Sequence, residues 1–226
     1  MRGFSKIFLA FFATSIVAFL VFPEIDIFFS GLFHDSVNGF YLKNVWFCRL
    51  IYESVEILTP VCIGLLLAML GWMWIKKTSN HYLNSYIFGL TQKSVIYLIL
   101  VLALGPGLLV NTILKDNWGR ARPETIMEFG GVETFTPAFV LSSSCDRNCS
   151  FVSGHSAMAF YVMVPGFLFR RFKKQIFGFG FVYGSAVGLV RIIQGGHFLS
   201  DVVFSFFFVF MVAWGIYHAM FERGTR

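Results

Sequence analysis

Residues 94–114 read SVIYLILVLALGPGLLVNTIL, and the chain continues KDNWGRARP over 115–123. The first stretch has no charged side chain, whereas the second has four in nine residues. At 1.5 Å per residue a helix over 94–114 is about 31 Å long, the thickness of a bilayer's hydrocarbon core. A backbone in hydrocarbon must satisfy its own hydrogen bonds, so such a run is a membrane-crossing helix. Five more apolar runs lie near 7–22, 57–75, 151–169, 175–193 and 202–221. The whole chain of 226 residues is 57% hydrophobic and 13% charged. No run alternates with the period of two that a barrel requires. The expectation is an all-α polytopic membrane protein, a six-transmembrane-helix bundle forming one domain over 1–226. Arg2 and Lys6 precede the first run as in a secretory signal, but VFPEID follows it in place of a small-residue cleavage site. A retained anchor helix is therefore expected.

The formal charge of +6 would suit a nucleic-acid partner if it formed one patch, and it does not. Eleven of the eighteen basic residues fall at the termini or in the loops around Lys76, Lys77 and Lys93 and around Arg170, Arg171, Lys173 and Lys174. The positive-inside rule makes that side cytoplasmic and places both termini there. The outward side then has two long loops, 23–56 and 115–150, and a short turn at QGG (194–196). Within the first loop, FPEIDIFFSGLF (22–33) reads as a segment lying in the membrane interface.

Ionisable residues at the edges of membrane helices are costly and mark candidate sites. Three outward clusters qualify. Lys115, Arg120 and Arg122 place a point charge and two planar forks where they can cradle a phosphate. Ser153, Gly154 and His155 open the run at 151–169. If Ser153 caps that helix, free backbone N–H groups and the positive dipole end face outward beside an imidazole. Arg191, His197 and Asp201 surround the Gly195-Gly196 turn. With His197 and Asp201 at i and i+4 on one helix face, the carboxylate would fix the imidazole tautomer and leave the other nitrogen as a nucleophile. His34, His81 and His218 have no comparable company. Cys145 and Cys149 lie in the outer loop at a spacing open to a disulfide or to two free thiols. Positioning of three equatorial oxygens between cations, with an in-line nucleophile, is the requirement of phosphoryl transfer. The set calls for no metal and no cofactor.

In these residues the chain resembles the type 2 phosphatidic acid phosphatases, the PAP2 superfamily, whose motifs are K-x6-R-P, P-S-G-H and S-R-x5-H-x3-D. Here they read Lys115-x6-Arg122-Pro123, Val152-Ser153-Gly154-His155 and Val190-Arg191-x5-His197-x3-Asp201. Val152 stands in place of the proline and Val190 in place of the serine. The resemblance implies that His197 attacks phosphorus, Asp201 orients it, and His155 protonates the leaving oxygen and then activates water. It further implies that Lys115, Arg122, Ser153, the Gly154 amide and Arg191 bind the phosphate. Arg120 lies between motif positions and is expected to contact substrate. The stretch from EFGG to CDRNCSFVSGH is similar to the bacterial lipid A phosphatases of the superfamily, which remove the 1- or 4′-phosphate at the periplasmic face. That likeness implies a phosphorylated membrane lipid as substrate, an inner-membrane location, and a site facing the periplasm. Phosphatidylglycerol phosphate and undecaprenyl pyrophosphate are the competing substrates. A lipid phosphotransferase would use the same histidines, and a non-catalytic transporter would need neither.

Overall fold

The computed structural model describes residues 2–79 and 90–222. His81, Arg223 and Arg226 lie outside the described residues. Among the described residues eight α-helices run α1 (Arg2–Val21), α2 (Glu24–Gly31), α3 (Trp46–Ser79), α4 (Gln92–Leu102), α5 (Lys115–Asn117), α6 (Gly154–Tyr161), α7 (Lys173–Ile193) and α8 (Leu199–Tyr217). Among the described residues four segments are long and apolar enough to cross a membrane: Trp46–Ile75, Gln92–Asn117, Arg170–Ile193 and Leu199–Glu222. A fifth is added if α1 and α2, which meet at a bend of 84°, form one span.

α8 is the central post. Phe8 and Phe12 of α1 set their rings against Phe207 of α8 at 5.3 and 5.1 Å, and Phe19 meets Phe204 at 5.8 Å. Edge-on aromatic pairs of this kind gain energy beyond burial alone. α7 approaches by a different device. A Cβ on Gly184 would lie 2.1 Å from the Phe160 ring, and one on Gly188 would lie 2.2 Å from Val202. The one-turn repeat of glycines therefore lets α6 and α8 sit against the α7 backbone, as small residues do between membrane helices. α3 is peripheral and turns Leu50, Ile57, Leu65 and Trp74 outward, as a lipid-facing helix does.

Three boundaries differ from expectation. The outer loop expected over 23–56 ends earlier, because α3 starts at Trp46. Arg49 and Glu53 disguise its first turns, yet they pair at i,i+4 across 2.6 Å. The run at 151–169 is not one continuous helix. α6 ends at Tyr161, and a 3₁₀ turn follows over Val164–Phe167. Pro165 within that turn has no N–H to continue a helical ladder. Residues 156–161 are buried on every side, so the break lies within protein, where irregular backbone at membrane depth is tolerated. Lastly, α2 is more than an interfacial segment. Phe28 and Phe29 are exposed on one face, whereas Asp26 and Ser30 are fully buried on the other.

Beyond α4 the helix widens to a π-helix over Ala103–Leu114, with Pro106 inside it. Asn111 Nδ2 donates to the Pro106 carbonyl at 2.8 Å. Such widenings recur at functional sites, and this one delivers Asn111 and Lys115 to the end of the bundle where α6 and α8 begin and α7 ends. Lys93 lies at the opposite end, 4.9 Å from the Phe221 ring.

Candidate active site

Segment 148–153 joins the three clusters. Its backbone pairs with the first, Cys149 N donating to Lys115 O at 3.0 Å and Ser150 N to Arg120 O at 2.9 Å. It reaches the third through Ser153 N, which donates to Asp201 O at 3.2 Å. Asn148 adds side-chain ties: Lys115 Nζ donates to its Oδ1, and Arg122 to its carbonyl, both at 2.8 Å. Just ahead of this segment Cys145 and Cys149 are joined by a disulfide, with Cα atoms 5.7 Å apart.

Ser153 caps α6, its Oγ accepting from Ser156 N at 3.3 Å. A Cβ on Gly154 would lie 2.3 Å from Asn111 Oδ1 and 3.4 Å from Lys115 Cε. Only glycine lets this helix start against the π-helix and the lysine. His155 follows, its ring stacked on Tyr52 at 4.4 Å. Arg191 lies over the other side of the site, 5.0 Å from the same tyrosine ring. Its Nη1 donates to Gln194 Oε1 at 2.6 Å, while among the described residues its Nε is a buried donor without a partner. A buried unpaired guanidinium donor is costly, and an anion beside it would remove the cost.

His197 is 1% exposed and precedes the first turn of α8. Its Nδ1 lies 2.7 Å from the Ser150 carbonyl and 3.6 Å from Asp201 Oδ2. A carbonyl only accepts, so Nδ1 carries the proton and Nε2 keeps its lone pair. The expected orienting bond from Asp201 is thus corrected. The separation exceeds a hydrogen bond, and the tautomer is set by a backbone carbonyl, because His197 lies outside the helix that carries Asp201. Asp201 instead accepts from Ser150 Oγ at 2.6 Å and from Phe198 N at 2.8 Å, holding both neighbours of the ring. Burial above all, with the positive charge of Arg191 and Lys115 and against the charge of Asp201, holds the imidazole down at about 3. The ring is neutral at ordinary pH.

Arg120 also requires correction. It is fully buried and cannot touch a substrate. Its Nη1 donates to Asp201 Oδ1 at 2.7 Å and to Ser200 Oγ at 2.8 Å, Nη2 to Asp26 Oδ2 at 2.8 Å, and Nε to the Thr136 carbonyl at 2.8 Å. The Phe198 ring covers its face at 4.3 Å. Asp26, Ser150, Ser200, Asn148, Tyr52 and Gln194 join the site without having been singled out in the sequence. Among them only Asp26 left a signal there, as an acid within an apolar segment.

Two cavities are each lined by some of the cradle residues. A cleft of about 540 Å³ is walled by apolar side chains of α3 and the α4 π-helix and ends at Lys115, Gly154 and His155. A polar cavity of about 500 Å³ lies beyond, against Lys43, Arg49, Arg122 and Arg191. Among the described residues no group of three or more His, Cys, Asp or Glu side chains is placed to hold a metal ion.

A lone-pair imidazole, a second imidazole, three converging cations and a capped helix N-terminus form one constellation. The model of the PAP2 superfamily matches residues 95–225, more than half of the chain and the whole of that constellation. The chain belongs to the PAP2 superfamily. Three similar proteins share a name. A lipid A 4′-phosphatase of Francisella tularensis subsp. novicida is 36% identical over 92% of this chain and 91% of its own. Lipid A 4′-phosphatases of Rhizobium leguminosarum and Rhizobium etli are 29% and 31% identical, each over 83% of this chain and over 84% and 76% of their own. The crystal structure of a transmembrane PAP2-type phosphatidylglycerolphosphate phosphatase from Bacillus subtilis shares the fold. Its TM-score is 0.59 at 17% identity, over 97% of both chains. The two departures from the PAP2 motifs, Val152 and Val190, are both buried in the core.

Proposed function

We propose that this protein is a membrane phosphatase that hydrolyses the 4′-phosphate monoester of lipid A. Its chemistry begins with His197 Nε2 attacking phosphorus. The observation that carries the reading is the Nδ1 contact with the Ser150 carbonyl, which leaves Nε2 as the only basic nitrogen of a neutral ring. Lys115, Arg122, Arg191, Ser153 and the Gly154 amide hold the phosphoryl oxygens, where fixed donors act most strongly in a dry site. The P–O bond to the sugar breaks as the P–N bond forms, and His155 gives its proton to the leaving oxygen. Water then attacks the phosphohistidine while His155 takes up a proton, the P–N bond breaks, and inorganic phosphate leaves.

Two features support a lipid A substrate. The similar proteins named above carry that activity in their names. The apolar cleft reaches Lys115, Gly154 and His155 and the polar cavity reaches Arg122 and Arg191, which suits an amphiphile with a large sugar head. In this reading the chain is one domain of six membrane-crossing segments, residues 151–169 forming a broken fourth. Both termini face the cytoplasm of a bacterial inner membrane and the site faces the periplasm, which fits the separation of Lys93 from the cradle.

The test incubates purified protein with lipid A that has already lost its 1-phosphate, with phosphatidylglycerol phosphate and with undecaprenyl pyrophosphate. Release of inorganic phosphate from the first, with the matching loss of mass, is expected. Turnover confined to either of the others would overturn the substrate assignment. Transfer of phosphate to an added alcohol without release would make the protein a phosphotransferase.

A further inference from the structure

Asp26 lies in α2, outside the residues that the PAP2 model matches. It is fully buried, and among the described residues the hydrogen bonds of its carboxyl run to Arg120 and Ser200. Oδ1 accepts from Ser200 N at 2.8 Å, and Oδ2 accepts from Ser200 Oγ at 2.6 Å and from Arg120 Nη2 at 2.8 Å. Ser200 Oγ already accepts from Arg120 Nη1, so its single hydrogen points to Asp26. Each of these partners donates to the carboxyl, and the donors together with the Arg120 charge hold it ionised against the burial and the Asp201 charge that raise its affinity for a proton.

We propose that Asp26 is a positioning residue for phosphoryl transfer, acting on His197 through Arg120, Ser200 and Asp201. The inference rests on the phosphatase reading. Its physical basis is charge. Arg120 and Asp201 alone would form a neutral pair, with little left to stabilise the ring. With Asp26 the buried group carries one net negative charge beside His197. When Nε2 bonds to phosphorus, Nδ1 keeps its proton and the ring becomes a phosphorylated imidazolium. The positive charge that develops then faces a fixed negative one in a dry interior, where charges interact strongly. Geometry acts in the same direction. Asp26 holds one end of the Arg120 fork, and the other end fixes the oxygen of Asp201 opposite those that grip Ser150 and Phe198. Removal of Asp26 frees the fork to turn and the ring to follow.

Asp26→Asn keeps the size and one acceptor oxygen and removes the charge. The full-length protein in detergent micelles is assayed on lipid A, with orthovanadate and inorganic phosphate as competing ligands. The expected result is a kcat lower by about 10- to 100-fold, the range for groups that orient a reacting group from one layer out, with KM within about twofold. Vanadate, which takes the imidazole as a fifth ligand and so resembles the transition state, should lose affinity in parallel with kcat, whereas phosphate should not. A folded variant with unchanged kcat, or with vanadate and phosphate affinities falling together, would overturn the proposal. If Asp26→Asn does not survive purification, Ser200→Ala removes the bridging hydroxyl and is judged by the same kcat and the same vanadate-to-phosphate ratio. Wild-type values in that folded variant would likewise overturn it. A wild-type protein that releases no phosphate would instead refute the phosphatase reading, so the two failures are distinct.

Discussion

Arg120→Met separates the role read from the sequence from the one the fold assigns. The guanidinium is fully buried, spends four N–H bonds, and lies 2.7 and 2.8 Å from two carboxylates that are also fully buried. Methionine fills most of the volume and strands Asp26 and Asp201 as like charges in a dry interior. Breaking a buried ion pair by removing one partner costs about 3–5 kcal/mol. At about 2–4 °C per kcal/mol for a chain of this size, the melting temperature should fall by ~6–20 °C. The assay is thermal unfolding of the purified protein in one detergent at one scan rate, beside KM for the lipid. Adding Asp26→Asn removes one of the stranded charges and should restore part of the loss, so the two changes should be non-additive by more than about 0.5 kcal/mol. A variant that melts with the wild type and shows a raised KM would refute this, because that is the signature of an exposed substrate contact.

Four further outcomes follow from the site. His197→Ala should abolish turnover, and label from a phosphate-labelled lipid should bind covalently to the wild type but not to the variant in an acid-labile, base-stable form. Arg122→Gln, at a half-buried position whose guanidinium donates to the Asn148 carbonyl, should raise KM without moving the melting temperature, the reverse of Arg120→Met. Gly154→Ala drives a methyl toward Asn111 Oδ1 and should cost about 1–3 kcal/mol of overpacking. Asn111→Ala in the same chain should recover much of that in a melting experiment. His197 binds its proton at about 3 when folded and near 6.5 when unfolded. Between those values the unfolded chain holds more protons, so stability should be complete above about pH 6.5 and fall as pH drops toward 3. An unfolding series across that window, in which His197→Asn should show a shallower slope than the wild type, checks it.

The spans at 94–114, 175–193 and 202–221 were legible because a run of uncharged residues long enough to cross hydrocarbon admits few other readings. The interruption in 151–169 was not. Apolarity on all sides of a helix marks burial in protein as well as in lipid, and the packing that tells them apart involves Gly184 and Gly188 of α7. The spacing of His197 and Asp201 was legible as a pair. It misled on the bond, because the helix begins at Leu199 and leaves the histidine ahead of its first turn. Arg120 was visible as one of three cations, but its partners are 94 and 81 residues away. Local pattern has no access to such pairings.

Arg120 and Arg122 show how the fold divides one charged stretch between two tasks. The chain leaves the helix at Asn117 and is extended by Arg122, whose φ and ψ are −87° and 157°. Arg120 turns inward to two carboxylates and is compensated twice over. Arg122 turns to the cradle, where Lys115 and Arg191 are also positive and the nearby Asp201 is already engaged by Arg120. Among the described residues no carboxylate forms an ion pair with any of these three cations, which repel one another. The ties that hold them there, Asn148 to Lys115 and Arg122 and Gln194 to Arg191, are neutral acceptors that fix position without cancelling charge. Unpaired positive charge at fixed positions is what a phosphate dianion requires, and under the proposal above the buried Asp26–Arg120–Asp201 group supplies the opposite sign beside His197. On the proposed mechanism the His197 ring would lie between a positive pocket that draws in the phosphate and a negative core that stabilises the ring as it attacks.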